Sequence, residues 1–267
     1  MRKTFVFLII ILTLVACNKF DYHPYDTHID GDRHINTHCI QRIEQSMQGR
    51  KRIRFAVMSD SQRWYDATRT MVRSINAQPD LDFVIHCGDL TDFGMTNEFE
   101  WMRNELARLE YPYVAALGNH DCLGTGRDVF KAMYGEFNFS FNAGNTHFLV
   151  LNTNGLEFDH ISEAPNLAFM AANAATLPDS IERTVVVMHA APLSDQFGSE
   201  RWDDYQKALK AYPNVQFSVC GHEHRPAVRY PEEGCIPYYL AGCTEQKMYY
   251  VFTLNEDGSY EYKEVWA

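Results

Sequence analysis

The sequence is short of basic residues: 24 Lys and Arg stand against 35 Asp and Glu in 267 residues, for a formal net charge of −11. That shortage excludes a protein that coats nucleic acid or an anionic membrane by bulk charge, because the average field repels both. Long apolar runs are also missing. The longest, from Phe5 to Val15, is 11 residues, against the ~20 that a membrane-spanning helix needs. No two cysteines have CxxC spacing, which removes zinc knuckles and dithiol redox centres. Residues 51–267 contain no repeat, low-complexity tract or linker. With 46% hydrophobic and 22% charged residues, the chain is not disordered and can bury a substantial core. Any handling of phosphate must therefore come from a localised site, such as a metal site.

Arg2 and Lys3 precede the short apolar run, the charge pattern of a signal peptide. The run ends in Leu14-Val15-Ala16-Cys17, which resembles the lipobox of bacterial lipoproteins. The resemblance implies a lipoprotein signal peptide over 1–16, a lipidated Cys17 and tether with a short helix over 17–50, and the folded domain over 51–267. It also implies an exported protein held to the cell envelope, on the periplasmic face or the cell surface, through Cys17 only. The alternative is an ordinary cleaved signal peptide with Cys17 as a bystander. Among the other cysteines, Cys87, Cys122 and Cys220 lie among apolar neighbours and read as core. Cys235 and Cys243, eight residues apart around a C-terminal strand, are the expected disulfide pair.

Within the domain, Ile53–Met58, Asp82–His86 and Pro112–Leu117 read as buried strands. Between them lie helical patterns carrying Ala67, Met71 and Ile75, then Phe99, Met102, Leu106 and Leu109, the latter with Thr96 as the expected N-cap. This alternation predicts βαβ units and a largely parallel sheet. Further on, 137–141 and 146–152 form a hairpin pattern, and Pro165 opens a small-residue helix. Strands at 184–188 and 215–219 flank a helix with Trp202, Tyr205 and Leu209 on its apolar side. Four short strands follow, at 227–230, 236–240, 248–254 and 260–266. The expectation is one α/β domain with two stacked sheets.

Ligands of α/β folds sit at the carboxyl ends of the strands, so the residues that follow each strand carry the information. They are Asp60-Ser61-Gln62, Gly88-Asp89, Gly118-Asn119-His120-Asp121, His189 and Gly221-His222-Glu223-His224. Each group contains a metal-capable side chain, often beside a glycine that permits close approach. Four of the 11 histidines fall here.

This ordered set, over residues 53 to about 230, resembles the calcineurin-like metallophosphoesterase superfamily: D-x-H, GD, GNH plus an acid, a lone His, and G-H-x-H. The resemblance implies a four-layer αββα sandwich of two stacked mixed sheets, with the metal site at the C-terminal ends of the core strands. It implies hydrolysis of phosphomonoesters or phosphodiesters by a metal-bound hydroxide at a dinuclear site. Asp60 and His224 would hold the first ion, Asn119, His189 and His222 the second, and Asp89 would bridge them, as two ions ~3.5–4 Å apart require a shared anionic ligand. His120 would meet the leaving-group oxygen or the phosphate, as general acid or as electrostatic stabiliser, with Asp121 orienting it. Gln62 stands where the family has His. An amide oxygen is a weaker, harder donor, so the first site should bind more loosely and prefer Mn, Mg or Ca. Mn is the leading expectation for the two divalent ions, with Fe, Zn, Mg and Ca open.

Several residues carry a plainer reading. His86 and His147 lie inside strands and read as core or edge histidines, and Asp92 either caps the following loop or stands behind the site. Arg63, Trp64, Tyr65 and Arg225 would rim the pocket or merely pack its loops. His23, His28, His34 and His38 belong to the tether. The expected partner is a small phosphorylated substrate, with no nucleic-acid coating and no protein partner indicated. Two alternatives stand beside the general phosphoesterase: a nucleotide or cyclic-nucleotide phosphodiesterase, and a non-catalytic, metal-stabilised binder of a phosphorylated ligand.

Overall fold

The computed structural model describes residues 23, 25–159 and 161–267. The expected signal peptide and Cys17 lie outside the described residues. The described residues build two mixed sheets. The first has five strands in the order β11-β10-β1-β2-β3: β1 (Ile53–Met58), β2 (Phe83–His86), β3 (Tyr113–Ala115), β10 (Met248–Leu254) and β11 (Tyr260–Trp266). The second has six, β4-β5-β6-β7-β9-β8: β4 (Phe139–Ala143), β5 (Thr146–Leu151), β6 (Arg183–Met188), β7 (Val215–Cys220), β8 (Ala227–Arg229) and β9 (Tyr238–Leu240). The central runs β1-β2-β3 and β5-β6-β7-β9 are parallel, and antiparallel strands finish the edges.

Strands covered on both faces must be apolar throughout, and β1, β2, β5 and β6 are buried along their whole length. Alternate residues of each strand serve different cores. Phe55, Val57, Phe83 and Ile85 face Phe148, Val185, Val187 and Phe217 between the sheets. There Phe55 stacks on Phe83 and Phe252 with centroids 5.2 and 5.4 Å apart, geometry that adds to the area term of burial. Ala56, Met58 and Val84 face the outer helices α2 (Tyr65–Asn76), α3 (Thr96–Leu106) and α4 (Gly126–Met133). On the other side Leu149, Val186 and Met188 meet α6 (Leu167–Ala174) and α7 (Trp202–Leu209), while α5 (Gly155–Phe158) is a single turn. The result is the expected αββα arrangement.

Three local expectations change. The helix α1 (Ile35–Met47) is part of the fold rather than of a tether. Its Ile35, Cys39, Ile43 and Met47 are buried, and the Asn36 amide both donates to the Ala115 carbonyl and accepts from its N–H, each at 2.9 Å. That pairing stands in for a neighbouring strand on the free edge of β3, which an edge otherwise leaves unpaired. Helix α3 is capped at Met95 instead of Thr96, because Glu98 reaches back to the amides of Phe93 and Met95 while the Thr96 hydroxyl donates to the Asp26 carbonyl. Cys235 and Cys243 are free. Cys243 lies at the sheet end with its thiol on the Asp60 carbonyl, and the Cys235 sulfur accepts from the Glu232 amide instead.

Candidate metal centre

The loops after β1, β2, β3, β6 and β7 meet where the two sheets end together. Their backbones are bonded to one another: Asp60 N–H donates to the Gly88 carbonyl at 3.0 Å, Gln62 N–H to the Asp89 carbonyl at 3.1 Å, and Gly221 N–H to the His189 carbonyl at 2.8 Å. Such closeness explains the glycines. A methyl group at Gly118 would collide with the amide and carboxylate of Asp89, and one at Gly221 with the Ser59 hydroxyl.

Asp60, Gln62, Asp89, His222 and His224 all adopt positive φ, at 54°, 39°, 58°, 71° and 56°. Non-glycine residues pay on the order of 1 kcal/mol each for this conformation. The strain turns five polar side chains onto one point, which local propensity alone would not do.

Asp60, Asp89 and His189 are buried and offer ligand atoms within 4.8 Å of one another. His189 Nδ1 faces the Cys87 carbonyl at 2.8 Å. A carbonyl only accepts, so the ring proton is on Nδ1 and the Nε2 lone pair is free. That lone pair meets two more acceptors, Asn119 Oδ1 at 2.9 Å and Asp89 Oδ1 at 3.4 Å. His222 repeats the pattern: Nε2 faces the Asp195 carboxylate at 2.8 Å and Nδ1 faces Asn119 Oδ1 at 3.0 Å. Acceptors converging on acceptors with no proton among them form a donor set that a cation joins. On the opposite side, His224 Nε2 lies 3.3 Å from Asp60 Oδ1, and the Asp60 carboxylate also accepts from the His222 amide.

The electrostatics agree. Burial, then the charges of Asp60 and Asp121, push the Asp89 carboxyl well above its ordinary range. Burial acts the same way on Asp60, but the hydrogen bond from His224 and the nearby imidazoles bring it below. Burial holds the His189 imidazole below its usual value and so neutral. A cluster of buried carboxylates with neutral imidazoles is costly without a cation. The residues present therefore fit two divalent ions, with Asp60, His224 and Asp89 on one side and Asn119, His189, His222 and Asp89 on the other.

Two expected roles change. Asp121 does not touch the His120 ring. Its buried carboxylate is taken up by the amides of Leu90, Thr91 and Gly118 at 3.2, 2.9 and 3.0 Å and by the Thr91 hydroxyl at 2.9 Å, so it ties the Asp89 loop to the Asn119 loop. The His120 ring is held instead by Asp92, whose backbone carbonyl accepts from Nδ1 at 2.8 Å. The Asp92 carboxylate lies 3.9 Å from the same nitrogen and pairs with Arg63 at 2.5 Å. The His120 side chain is 35% exposed and its amide donates to Asp89 Oδ1 at 2.9 Å, which sets the ring beside the candidate bridge. Gln62 stands beside the same carboxylate: its Nε2 donates to Asp89 Oδ2 at 3.2 Å.

Asp195 escaped the sequence reading because it sits in a loop without a motif, 27 residues from His222. Only the acidic residue and the His could have hinted at a pair. His86 and His147 are buried as expected. Tyr65 joins the core on the outer face of the first sheet, with its ring edge-on to Trp101, and burial pushes its hydroxyl up to about 12.

Buried Asp60, Asp89 and His189 at the carboxyl ends of parallel strands form a cluster that could hold a metal ion. The family model for calcineurin-like phosphoesterases matches residues 53–226, and the chain belongs to that family. It is 26% identical over 181 residues to a 3′,5′-cyclic-nucleotide phosphodiesterase of Nostoc, covering 62% of this chain and 67% of the relative. It is 26% identical over 172 residues to an Arcobacter nitrofigilis protein named probable glycerophosphodiester phosphodiesterase, covering 56% and 59%. These matches thus span about three fifths to two thirds of the relatives' lengths. The fold superposes on a dimetal phosphatase from Danio rerio with a TM-score of 0.59 at 13% identity, over 76% of this chain and 93% of the other. The protein is a metal-dependent phosphoesterase, and divalent ions belong at this centre.

Proposed function

We propose that the protein is a phosphodiesterase working at two divalent ions, Mn first among them, held by Asp60, Asp89, Asn119, His189, His222 and His224. The convergence of the His189, His222 and Asn119 lone pairs beside the Asp60–Asp89 pair is the observation that carries this reading. When bound, the ions clamp the phosphoryl oxygens and lower the pKa of the attacking water. The chain's own part is to fix their separation through Asp89, to exclude water from the buried side, and to hold His120 over the opening. With Nδ1–H committed to the Asp92 carbonyl, His120 turns Nε2 to the leaving-group oxygen, and it donates there as the imidazolium, which carries a proton on each nitrogen.

A diester is favoured over a monoester by charge. Arg63 is already paired with Asp92, and Arg229 makes two bonds to Glu223 at 2.7 and 2.8 Å, so two nearby cations are spent before any substrate arrives. A monoanionic diester asks less of such a rim than a dianionic monoester. The names of the Nostoc and Arcobacter relatives support the same choice, the first favouring a cyclic nucleotide and the second a glycerophosphodiester. The test is hydrolysis of bis-p-nitrophenyl phosphate and p-nitrophenyl phosphate by metal-stripped protein resupplied with Mn, Mg, Zn or Ca. Metal-restored activity with the diester ahead is expected. A monoester ahead would refute the diester reading, and silence with every metal would refute the enzyme.

We further infer that the chain is exported and lipid-anchored at Cys17. Support comes from Arg2-Lys3, the apolar run and Leu14-Val15-Ala16-Cys17 alone. Fatty-acid labelling of the expressed full chain should mark wild type and not Cys17→Ser; equal labelling, or none in either, would refute it.

A further inference from the structure

Beneath the Asp60 loop, and outside the ligand cluster, runs a chain of side chains in which every proton is assigned. His86, the last residue of β2, is 1% exposed. Gly88 N–H donates to its Nδ1 at 3.2 Å, so the ring proton is on Nε2 and goes to Ser61 Oγ at 2.7 Å. Ser61 must then give its own proton to Thr244 Oγ1 at 3.1 Å, and the Thr244 hydroxyl gives its proton to the Ser59 carbonyl at 2.9 Å. Burial lowers the His86 imidazole to about 3, and the amide facing Nδ1 leaves a second ring proton no acceptor. The donor order is therefore fixed in one direction.

The same C-terminal segment grips the loop at three more contacts. Thr244 N–H donates to the Asp60 carbonyl at 3.2 Å, the Cys243 thiol donates to it at 3.3 Å, and Ser59 and Cys243 form an isolated parallel bridge. Ser61 stands between Asp60 and Gln62, both at positive φ. Strained backbone persists only where the surroundings over-determine it, and these bonds are what surrounds it.

We propose that Thr244, through Ser61 and His86, is a positioning residue for the first metal half-site, holding the Asp60–Gln62 turn in its ligand-presenting conformation. This rests on the dinuclear reading above. Thr244 lies beyond the 53–226 segment that the family model matches, so the chain recruits its own C-terminal loop for the task. The second half-site has a support of its own in Asp195 and meets this network only at the Cys87–Gly88 peptide, whose carbonyl accepts from His189 and whose N–H donates to His86; Ser61 and Thr244 stand at the far end from that peptide.

The experiment is calorimetric titration of the metal-stripped full chain with Mn(II), with melting of the metal-free protein alongside. His224→Ala identifies which binding step is the first half-site. Thr244→Val keeps the shape and removes the hydroxyl, Thr244→Ser restores it, and Ser61→Ala breaks the relay at its middle. Thr244→Val and Ser61→Ala should weaken the first step by ~10-fold or more, the size expected for supports behind ligands. The second step should stay within about twofold, and Thr244→Ser should match wild type. If Thr244→Val does not fold without metal, Ser61→Ala decides. Unchanged binding, or equal weakening of both steps, in a folded variant overturns the proposal while leaving the dinuclear reading intact. Wild-type protein that binds fewer than two ions overturns both.

Discussion

The two halves of the candidate centre are built to different standards. Around Asn119, His189 and His222, one imidazole is fully buried, both are oriented through their far nitrogen by an acceptor, and a single amide oxygen faces both. Around Asp60, Gln62 and His224, the imidazole is 45% exposed and touches the site through Asp60, and the amide of Gln62 is turned to Asp89. Orienting partners raise a ligand's basicity and fix its direction. On the proposed dinuclear reading, the second half-site would be the rigid anchor and the first the exchangeable one, supported from below.

The sharpest way to break this asymmetry is to remove what both halves share. Asp89→Ala should cost at least ~10³-fold in kcat/KM, since two-ion clamping supplies several kcal/mol; a variant with near-normal turnover would mean Asp89 is not the bridge. His120→Ala should lose roughly 10²-fold or more, and the loss should grow with poorer leaving groups if the ring donates a proton. Equal losses for p-nitrophenol and alkyl leaving groups would make it a phosphate contact only. Asp195→Asn should weaken the tighter metal step by roughly 10-fold, within the range for such supports, and leave the looser step alone. Gln62→His should tighten the looser step by a comparable factor, with superimposable titrations contradicting it.

The last effect concerns the support under the first half-site and is read in stability alone. The His86 imidazole is lowered to about 3 by burial, below the ordinary 6.5. The unfolded chain therefore takes the proton first. Its contribution to stability is intact above pH 6.5, shrinks as pH falls between 6.5 and 3, and stops changing below. The slope is at most about 1.4 kcal/mol per pH unit. Urea titrations of the metal-free protein from pH 7 to 5 should show it, flattened in His86→Asn; identical slopes would mean His86 is not the group that titrates.

Much of this was legible in sequence because the informative residues directly follow apolar runs. Ile53–Met58 buries every residue and Asp60 follows after Ser59, so strand, strand end and site were read together. The same holds for Gly88-Asp89 and for His189. What the sequence could not convey is direction and distance. Asp121 follows His120 in sequence but projects into backbone amides, because the short helical turn at 120–122 sends adjacent side chains apart. Asp195 and Thr244 reach the centre across 27 and 183 residues, and no local pattern marks a pairing of that kind. Helix α1 read as part of a tether because its apolar face is divided between two cores, which leaves a weak stripe. The expected Cys235–Cys243 bridge rested on spacing alone, and spacing says nothing of where each thiol finds its partner.

An unequal pair of metal sites would show itself directly in metal binding. Titrating the metal-stripped chain with Mn(II) by calorimetry should give two ions per chain in two steps separated by ~10-fold or more, the looser lost in His224→Ala and the tighter lost in His189→Ala. Two steps of equal affinity, or both steps abolished by His224→Ala while His189→Ala leaves them untouched, would contradict it.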